Sequence, residues 1–540
     1  MNQWKFGLVM GVLAFNMPLL AMARDAGNFD AVFRTGSVLL AVGGDVDIPL
    51  SRDDLFGLDE EKEKTTTPAQ ADPPQPRAES AAPNTKESLF DLPPQESEQV
   101  GQMKPHESRE ALFDAPATEP KLEEKSAGNA DKLWHGFFQG EAARTYAGKA
   151  HWSKLTGRLE VGSRGRWDNG MQWKISGRVD HNAVFDTNNF YSSATRNDQQ
   201  AEFQLRENYL DFSSGDWEYR LGRQHIVWGE MVGLFFADVV SAKDMREFVL
   251  QDFQLMRIPQ WAARAEYFKE DYHAELIWIP APSYDQIGKP LDTTTGKAGS
   301  EFFAYPASPG LPNVLGDLKP GNKLSNTNYG LRLSRLSNGW DMSGFLYSSI
   351  ESSPTYYLVG KPLPGVYNYQ GRHRRINQAG GTLAKDVGSF VFKAEAIYTG
   401  GRRYNVTVDD AINYPEGVVK QNTLDWVLGL DFNPGNDTRL NTQFFQRVHF
   451  EHDKNIIPDH LENGFSLLLN HKLTSNLEAE ALLVRSLNRD DWMLRPKLSW
   501  GFERNWKLTF GLDVFGGPAT GLFGQFDDKD RAYTELRYDF

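Results

Sequence analysis

The sequence predicts an all-β protein: a transmembrane antiparallel β-barrel of about 18 strands, within a range of about 16 to 20, behind a disordered N-terminal extension. Three observations predict this fold. The chain ends on a stretch that alternates apolar and charged residues. Similar alternating segments recur from Leu133 onward, and their connections are short and long in turn. Beyond the N-terminus, no apolar run reaches the roughly 18 residues that a membrane helix needs.

Residues 1–23 have the pattern of a secretory signal peptide. Lys5 is the positive end, Phe6 to Leu20 form the apolar core, and Ala21 to Ala23 supply small residues for cleavage. The chain has no cysteine, which excludes lipidation at a mature N-terminal cysteine as well as disulfides. We therefore expect an outer-membrane protein of a Gram-negative bacterium with its N-terminal segment in the periplasm.

Residues 24–133 are rich in Pro, Ser and acidic side chains, which predicts a mostly disordered periplasmic segment. A short pattern, an acid two positions before Leu-Phe, occurs in it three times, at Leu55, Phe56, Leu89, Phe90, Leu112 and Phe113. Tethered copies would raise the effective concentration of a weak docking peptide at a periplasmic partner. The alternative is that apolar residues persist by chance in a biased linker.

Residues 134–540 carry the barrel pattern. Short turns are predicted at 168–170, 213–216, 269–271, 337–339, 386–388, 433–436, 474–476 and 503–505. Longer connections lie near 187–199, 229–258, 282–326, 352–374, 404–419, 453–462 and 516–530. Outer-membrane barrels have short periplasmic turns and longer outer loops, so this alternation favours a barrel over a soluble sandwich or propeller.

The final strand has apolar and charged residues on opposite faces. One face carries Ala532, Thr534, Leu536, Tyr538 and Phe540, and the other Tyr533, Glu535, Arg537 and Asp539. An ordinary amphipathic edge strand is the alternative interpretation. The final aromatic resembles the assembly signal of outer-membrane barrels, which implies that Tyr538 and Phe540 are recognised by the barrel-assembly machinery.

The stretch 229–258 is too apolar for a solvated outer loop, so we expect it to fold into the lumen as a constriction. Ser241 and Asp244 resemble a helix N-terminus, and Met245, Phe248, Val249 and Phe253 follow at helical spacing. The sequence therefore predicts a short helix inside the inward-folded loop.

Three segments resemble the signature of a proteobacterial outer-membrane barrel family of unknown function: 223–229, 238–248 and 257–259. Such porin-like barrels are associated with inner-membrane exporters of the resistance-nodulation-division (RND) class and with periplasmic lipid-carrier-like proteins. The resemblance implies passage of a hydrophobic or amphiphilic molecule across the envelope. The acidic linker is not part of the family pattern.

Charges of both signs occur in and beside this stretch. They are Arg223, Glu230, Asp238, Lys243, Asp244, Arg246, Glu247, Asp252 and Arg257. They are candidates for lining the constriction and selecting solutes. Alternatively, they pair with charges on the barrel wall and hold the loop in place, and both roles are compatible.

A basic cluster is predicted at the outer rim, formed by Arg372, Arg374, Arg375, Arg402 and Arg403. Guanidinium groups bind phosphate well, so contact with lipopolysaccharide is the preferred interpretation. An anionic cargo and simple solvated charge are the alternatives.

Enzyme and metal interpretations have weak support. Ser337 superficially resembles the serine of outer-membrane phospholipase, but that motif needs His two positions earlier, where Arg335 stands. His449, His452, Asp453 and His460 do not meet a strict ligand spacing, so ordinary loop histidines are the simpler interpretation. We predict no catalytic residue, metal or cofactor, and the acidic net charge of −14 speaks against nucleic-acid binding.

Three functions remain at this stage. The first is an outer-membrane channel or exporter component that passes a hydrophobic or amphiphilic substrate with periplasmic or RND-type inner-membrane partners. The second is a general or substrate-selective porin in the same lipid and lipopolysaccharide environment. The third is an outer-membrane hydrolase.

Overall fold

A computed structural model describes residues 134–229, 231 and 237–540. The predicted signal peptide, the 24–133 segment with its three Leu-Phe pairs, and Glu230 lie outside the described residues. Within the described ranges, no helix is long and apolar enough to cross a membrane.

The described residues form a closed antiparallel barrel of 18 strands, which confirms the predicted fold. In chain order, the strands are β1 (His135–Thr145), β2 (Trp152–Arg166), β3 (Gln172–Asn182), β4 (Ala201–Ser214), β5 (Trp217–Gln224), β6 (Ala242–Lys243), β7 (Arg257–Ile258), β8 (Gln260–Lys269), β9 (Tyr272–Ala281), β10 (Leu311–Leu318), β11 (Asn328–Ser337), β12 (Trp340–Ile350), β13 (Thr355–Leu363), β14 (Val366–Arg372), β15 (Arg375–Asp386), β16 (Phe390–Asn405), β17 (Val418–Phe432), β18 (Thr438–Phe450), β19 (Leu461–Thr474), β20 (Leu477–Ser486), β21 (Trp492–Glu503), β22 (Trp506–Gly516) and β23 (Arg531–Asp539).

Five of these strands lie in the connections. β6 pairs with β7, and β10, β14 and β13 form a separate three-stranded sheet. Three short helices also lie in connections: α1 (Val184–Thr187), α2 (Ser193–Gln199) and α3 (Phe253–Met256). Two 3₁₀ turns, Leu324–Asn326 and Gly524–Lys529, complete the secondary structure of the described residues.

The barrel closes where its first and last strands pair. β1 and β23 run antiparallel in continuous register from Phe137 opposite Asp539 to Thr145 opposite Arg531. Beyond the strand, the Phe540 N–H donates to the Gly136 carbonyl at 2.9 Å, and the Gly136 N–H donates to the Phe540 carbonyl at 3.1 Å. The chain terminus is therefore part of the closing seam.

All eight predicted short turns join neighbouring barrel strands, and they lie at one end of the barrel, the short-turn side. The long connections lie at the other end, the long-loop side, and β1 starts and β23 ends on the short-turn side. Two long-loop-side connections, 146–151 and 487–491, are brief, and the length criterion missed them.

Alternation along the strands separates an apolar outer face from a polar inner face. In β22, Phe510 and Leu512 are exposed on the outside, whereas Asp513 is buried on the inside. Exposed aromatic side chains collect near both ends of the barrel, with Trp217 and Trp500 near the short turns and Tyr329 and Tyr398 near the long connections. Two aromatic belts around an apolar band are the exterior of a barrel that spans a lipid bilayer.

We expect deletion of Phe540 to lower the yield of folded barrel. The deletion removes two backbone hydrogen bonds of the seam, each worth about 1 kcal/mol in water and more where lipid offers no substitute partner. The measurement is the fraction of protein that keeps a compact mobility in unheated SDS gels. Asp539→Asn, which leaves the backbone seam intact, is the control. A normal folded fraction in the deletion variant would contradict the prediction.

Candidate functional site

The connection between β5 and β8, residues 225–259, crosses the lumen, and we call it the inward loop. Arginines from two separate parts of the wall hold its backbone carbonyls. From one side, Arg178 of β3 donates to the Leu255 carbonyl at 3.1 Å and Arg206 of β4 to the Gln254 carbonyl at 2.7 Å. From the other side, Arg495 of β21 donates to the Leu250 carbonyl at 2.7 Å. These hydrogen bonds place the described part of the loop against the inner face of the barrel.

The helix predicted from Ser241 onward is wrong. Residues 242–243 form β6, and in the described residues of the loop helical structure is confined to α3. The Ser241 hydroxyl donates to the Ile226 carbonyl at 3.1 Å instead of capping a helix, and Phe248 has a left-handed φ of 53°. The apolar residues of this stretch are used for packing against the walls, which overrides their helical spacing.

One apolar cluster fixes the first half of the inward loop. Ile226, Trp228 and Val240 pack against inward-facing residues of the wall, among them Ile277 of β9 and Ile397 of β16. Inward apolar residues are unusual on the wall of a water-filled barrel, where that face is polar. They occur here because the loop covers them.

Trp228 is the centre of this cluster and is 1% exposed. Its indole N–H donates to Glu275 Oε2 at 2.9 Å, and its ring contacts those of Phe345 and Tyr347 at centroid distances of 5.2 and 5.7 Å. A Cβ on Gly330 would lie 2.7 Å from Trp228 Cη2. Gly330 is therefore the residue of β11 that leaves room for the indole.

A second cluster fixes the other half of the loop on the opposite wall. Phe248 and Leu250 pack with Met493 of β21 and Phe515 of β22. Phe526, from the long connection before β23, contacts Phe248 at a centroid distance of 5.1 Å. The inward loop is thus packed against the barrel on both sides.

Glu395 of β16 binds the loop backbone at two points. Its carboxylate accepts hydrogen bonds from the N–H groups of Met231 and Ala237, both at 3.0 Å. These two residues flank 232–236, which lie outside the described residues. A single wall carboxylate therefore ties together the two sides of this segment.

Most of the predicted constriction residues pair with other charges. Asp238 lies 2.9 Å from Arg257 Nε and 4.0 Å from Lys243 Nζ. Burial by itself would raise the pKa of Asp238, but the charges of Lys243 and Arg257 outweigh it and lower that pKa. The pair therefore stays ionised at pH values above the ordinary 3.8 of an aspartate, and its contribution is lost only as the pH falls through the lower, folded-state value.

The next ion pairs connect the loop to the wall. Arg246 binds Asp244 at 2.7 Å and also Glu202 of β4. Burial would raise the pKa of Asp244, but the Arg246 charge and hydrogen bonds lower it. Glu247 binds Arg531 of β23 at 2.7 Å, and Arg531 also binds Asp513 at 2.8 Å. These contacts support the interpretation that the charges hold the loop in place.

Two predicted residues lie in other positions. Arg223 belongs to β5, opposite Asn208 and Trp261, and so lies before the inward loop. Asp252 faces a cavity of about 930 Å³ between the loop and the short turns, and Arg257 lines the same cavity. Asp252 and Arg257 are therefore the predicted constriction residues that a solute in this cavity can contact.

The predicted basic cluster does not form a single patch. Arg372 and Arg374 lie over the Tyr357 ring, at 5.1 and 5.4 Å from its centroid. Arg402 turns toward the carboxylates of Glu351 at 2.9 Å and Asp425 at 3.8 Å.

The other two arginines bind backbone. Arg375 donates to the carbonyls of Ser325 and Thr327 at 2.9 and 2.8 Å, and Arg403 donates to that of Gly401 at 3.2 Å. Of the five, Arg374 has the exposed side chain. Lipopolysaccharide contact by these residues stays a prediction, with Arg372 and Arg374 as the pair that the structure brings together.

Ser337 ends β11 at a short turn, and Arg335 lies over the Tyr272 ring at 4.9 Å. His449, His452 and His460 follow one another at ring-centroid distances of 6.1 Å. In the part of the chain that the structure describes, no group of three or more His, Cys, Asp or Glu side chains is arranged to hold a metal ion.

Sequence reasoning missed the residues of the wall that receive the loop, namely Glu275, Gly330, Glu395, Arg495 and Arg531. Each follows the ordinary alternation of its strand, and nothing in the local sequence distinguishes it. Inward apolar residues such as Ile277 and Ile397 were the one available signal, because they interrupt the polar face of their strands.

The chain matches one protein family and is similar to several solved structures. The model of the family described as "Protein of unknown function (DUF1302)" matches residues 161–540. Among curated proteins, none matches the chain. The solved structure of Acinetobacter baumannii OccAB1 is 9% identical at a TM-score of 0.47, and the match covers 77% of this chain and 99% of that one.

Pseudomonas aeruginosa OccK2 (OpdF), solved in complex with glucuronate, is 8% identical at a TM-score of 0.43, with 76% of this chain and 97% of that chain covered. The assignment of this chain as an 18-stranded barrel rests on its own strand pairing and not on its similarity to these structures.

We expect Asp238→Ala to loosen the internal structure of the inward loop while the barrel stays folded. The change leaves Arg257 and Lys243 without their buried carboxylate, which costs about 3 to 5 kcal/mol. Hydrogen exchange of peptides within 225–259 should accelerate by about a hundredfold or more, because each 1.36 kcal/mol is about a factor of ten. Asp490→Ala, which removes an 81%-exposed carboxylate paired with Arg485, is the control. Equal exchange in the two variants would contradict the role of Asp238 in holding the two ends of the loop together.

Proposed function

The chain belongs to the family described as "Protein of unknown function (DUF1302)", and on that premise we propose that it forms a solute channel of the Gram-negative outer membrane. The inward loop is the element that sets which solutes pass. The observation that carries this proposal is the fixed position of that loop across the lumen of an 18-stranded barrel.

The exterior supports the membrane location. An apolar band with aromatic belts at both ends suits a bilayer, and short turns on the side of both strand termini are the arrangement of outer-membrane barrels. The short-turn side is then periplasmic and the long-loop side faces the medium. β1 begins on the short-turn side, so the predicted periplasmic segment is attached there.

The interior supports a channel. A barrel of 16 to 18 strands leaves an aqueous lumen unless loops fill it. Here the loop is anchored on both walls by apolar clusters and ion pairs, so the passages that remain beside it are narrow and have a defined shape. A fixed constriction favours a substrate-selective channel over a general porin.

The substrate class that we propose is hydrophobic or amphiphilic. The cavity beneath the loop places Trp228, Leu255 and Phe268 beside charged residues such as Arg264 and Glu275. A surface that mixes apolar rings with charges suits a molecule with both an apolar and a polar part.

A second candidate is an exporter component that works with RND-type or carrier-like periplasmic partners. The family resemblance implies such partners, and the three Leu-Phe pairs of the 24–133 segment favour docking. A hydrolase has less support, because Ser337 lies at a short turn with Arg335 where the motif needs histidine.

We expect Gly330→Leu to raise single-channel conductance in planar bilayers. The new side chain overlaps the Trp228 ring and pushes it from the wall, and overpacking of this kind costs about 1 to 3 kcal/mol. Gly140→Leu is the matched control, because a Cβ at Gly140 meets nothing within 4 Å. Unchanged conductance in a folded Gly330→Leu barrel would contradict the role of the loop as the constriction.

We expect the Leu-Phe pairs to capture a periplasmic or inner-membrane partner. Full-length protein with all six residues changed to Ala should lose that partner from envelope extracts, because each docking peptide loses its apolar contact. The control changes Thr65, Thr66 and Thr67 of the same segment to Ala. Identical capture by both variants would refute docking and leave the channel proposal untouched.

A further inference from the structure

The cavity on the short-turn side of the inward loop has the size of a small-molecule site. Its volume of about 930 Å³ lies within the roughly 300 to 1,000 Å³ of ligand pockets. Val227, Trp228 and Leu255 of the loop line one end of the cavity, and Lys269 and Tyr272, next to the β8–β9 turn, line the other end. The cavity therefore reaches from the loop to the short turns, which are the periplasmic side in the proposed orientation.

The lining of the cavity is electrically balanced. It contains eight basic and eight acidic side chains. Several of them are paired, with Arg264 2.7 Å from Glu266 and Lys174 bonded to Glu207. A ligand with a net charge gains no net attraction from such a lining and loses its hydration on entry.

The side chains of Glu275, Ser334 and His225 line the same cavity, and each has a buried hydrogen-bonding atom. Glu275 Oε1 is an acceptor, Ser334 Oγ is both donor and acceptor, and His225 Nδ1 is one or the other according to tautomer. None of these atoms has a hydrogen-bond partner among the described residues. A ligand hydroxyl donates and accepts at once, whereas an ionised carboxylate only accepts and an ammonium only donates.

Aromatic rings face the lumen around the cavity. The rings of Phe268 and His273 are stacked, with their centroids 4.4 Å apart and an interplanar angle of 7°. The guanidinium of Arg220 lies over the ring of Tyr209, 4.2 Å from the ring centroid. The guanidinium of Arg537 lies over the ring of Phe137 of β1, 3.9 Å from the ring centroid. Rings held flat in this way offer planar apolar surfaces, against which the apolar face of a ring-shaped ligand packs.

We propose that this cavity binds an uncharged, hydroxyl-bearing ring compound with an apolar face, and that it is loaded from the periplasmic side. This proposal rests on the channel function and specifies its substrate class. The hydroxyl groups bond Glu275, Ser334 and His225, while the apolar face contacts the wall aromatics.

The test uses three probes on one scaffold that differ only at C6 of the sugar: phenyl β-glucoside, which is uncharged, phenyl β-glucuronide, which is a carboxylate, and phenyl 6-amino-6-deoxy-β-glucoside, which is an ammonium. Calorimetry on the purified full-length protein should show phenyl β-glucoside binding at least about tenfold more tightly than either ion, as expected when a buried charge is uncompensated. In bilayers, this probe should block current when added on the short-turn side and not on the other. Equal or tighter binding of an ion, or equal block from both sides, would overturn the proposal.

Two variants on one strand locate the site. Ser334→Ala should weaken phenyl β-glucoside binding by up to about tenfold, the effect of one neutral hydrogen bond. Ser337→Ala, at the end of the same strand and outside the cavity lining, should leave binding unchanged. Equal effects of the two changes would count against the assigned cavity.

The two proposals fail in different ways. Binding of the uncharged probe by a protein without conductance would refute the channel and keep the site. Conductance without selective binding would refute the site and keep the channel.

Discussion

A polypeptide inside a lipid bilayer has to pair every backbone N–H and C=O within itself, because lipid offers no partner and each unpaired group costs several kcal/mol. This barrel meets that requirement by the pairing of β1 with β23, which the two hydrogen bonds between Gly136 and Phe540 extend to the chain terminus. Closure with 18 strands has a consequence for the interior. The lumen becomes wider than wall side chains can fill, so its shape depends on what folds into it.

The inward loop fills that space, and the wall is adapted to it. Where the loop packs, the inner face carries Ile277 and Ile397 instead of polar residues, and Gly330 leaves room for Trp228. Where the loop backbone would lack partners, Glu395 and wall arginines supply them. The charges that anchor the loop are largely buried. They therefore define the passage by fixing its shape, and only a few, Asp252 and Arg257 among them, face the solute.

This arrangement makes the lumen asymmetric. The second apolar cluster joins the loop to a connection of the long-loop side through Phe526, whereas the cavity extends to the β8–β9 short turn. The chain segment that precedes β1 is attached at the same short-turn end. A periplasmic partner held by that segment would deliver its cargo to that end of the cavity, which links the two candidate functions in one route.

The sequence by itself determined the barrel, its strand number, the eight short turns and the place of the last strand beside β1. These features depend on alternation, turn residues and local polarity, which act over a few residues. The tertiary structure decided the rest. Phe248 adopts a left-handed conformation because it packs against β22 and its neighbours, so the helical spacing around it was misleading.

The tertiary structure also decided the directions of individual side chains and the pairing of residues that are distant in the chain. The register of β16 against β17 shifts between Thr399 and Arg402, in the stretch where Arg402 turns toward buried carboxylates instead of joining a surface patch. Glu275, Gly330, Glu395 and Arg495 meet the inward loop from strands that lie far from it in the chain. Their roles come from closure of the barrel around the loop, a contact between distant segments that no local pattern encodes.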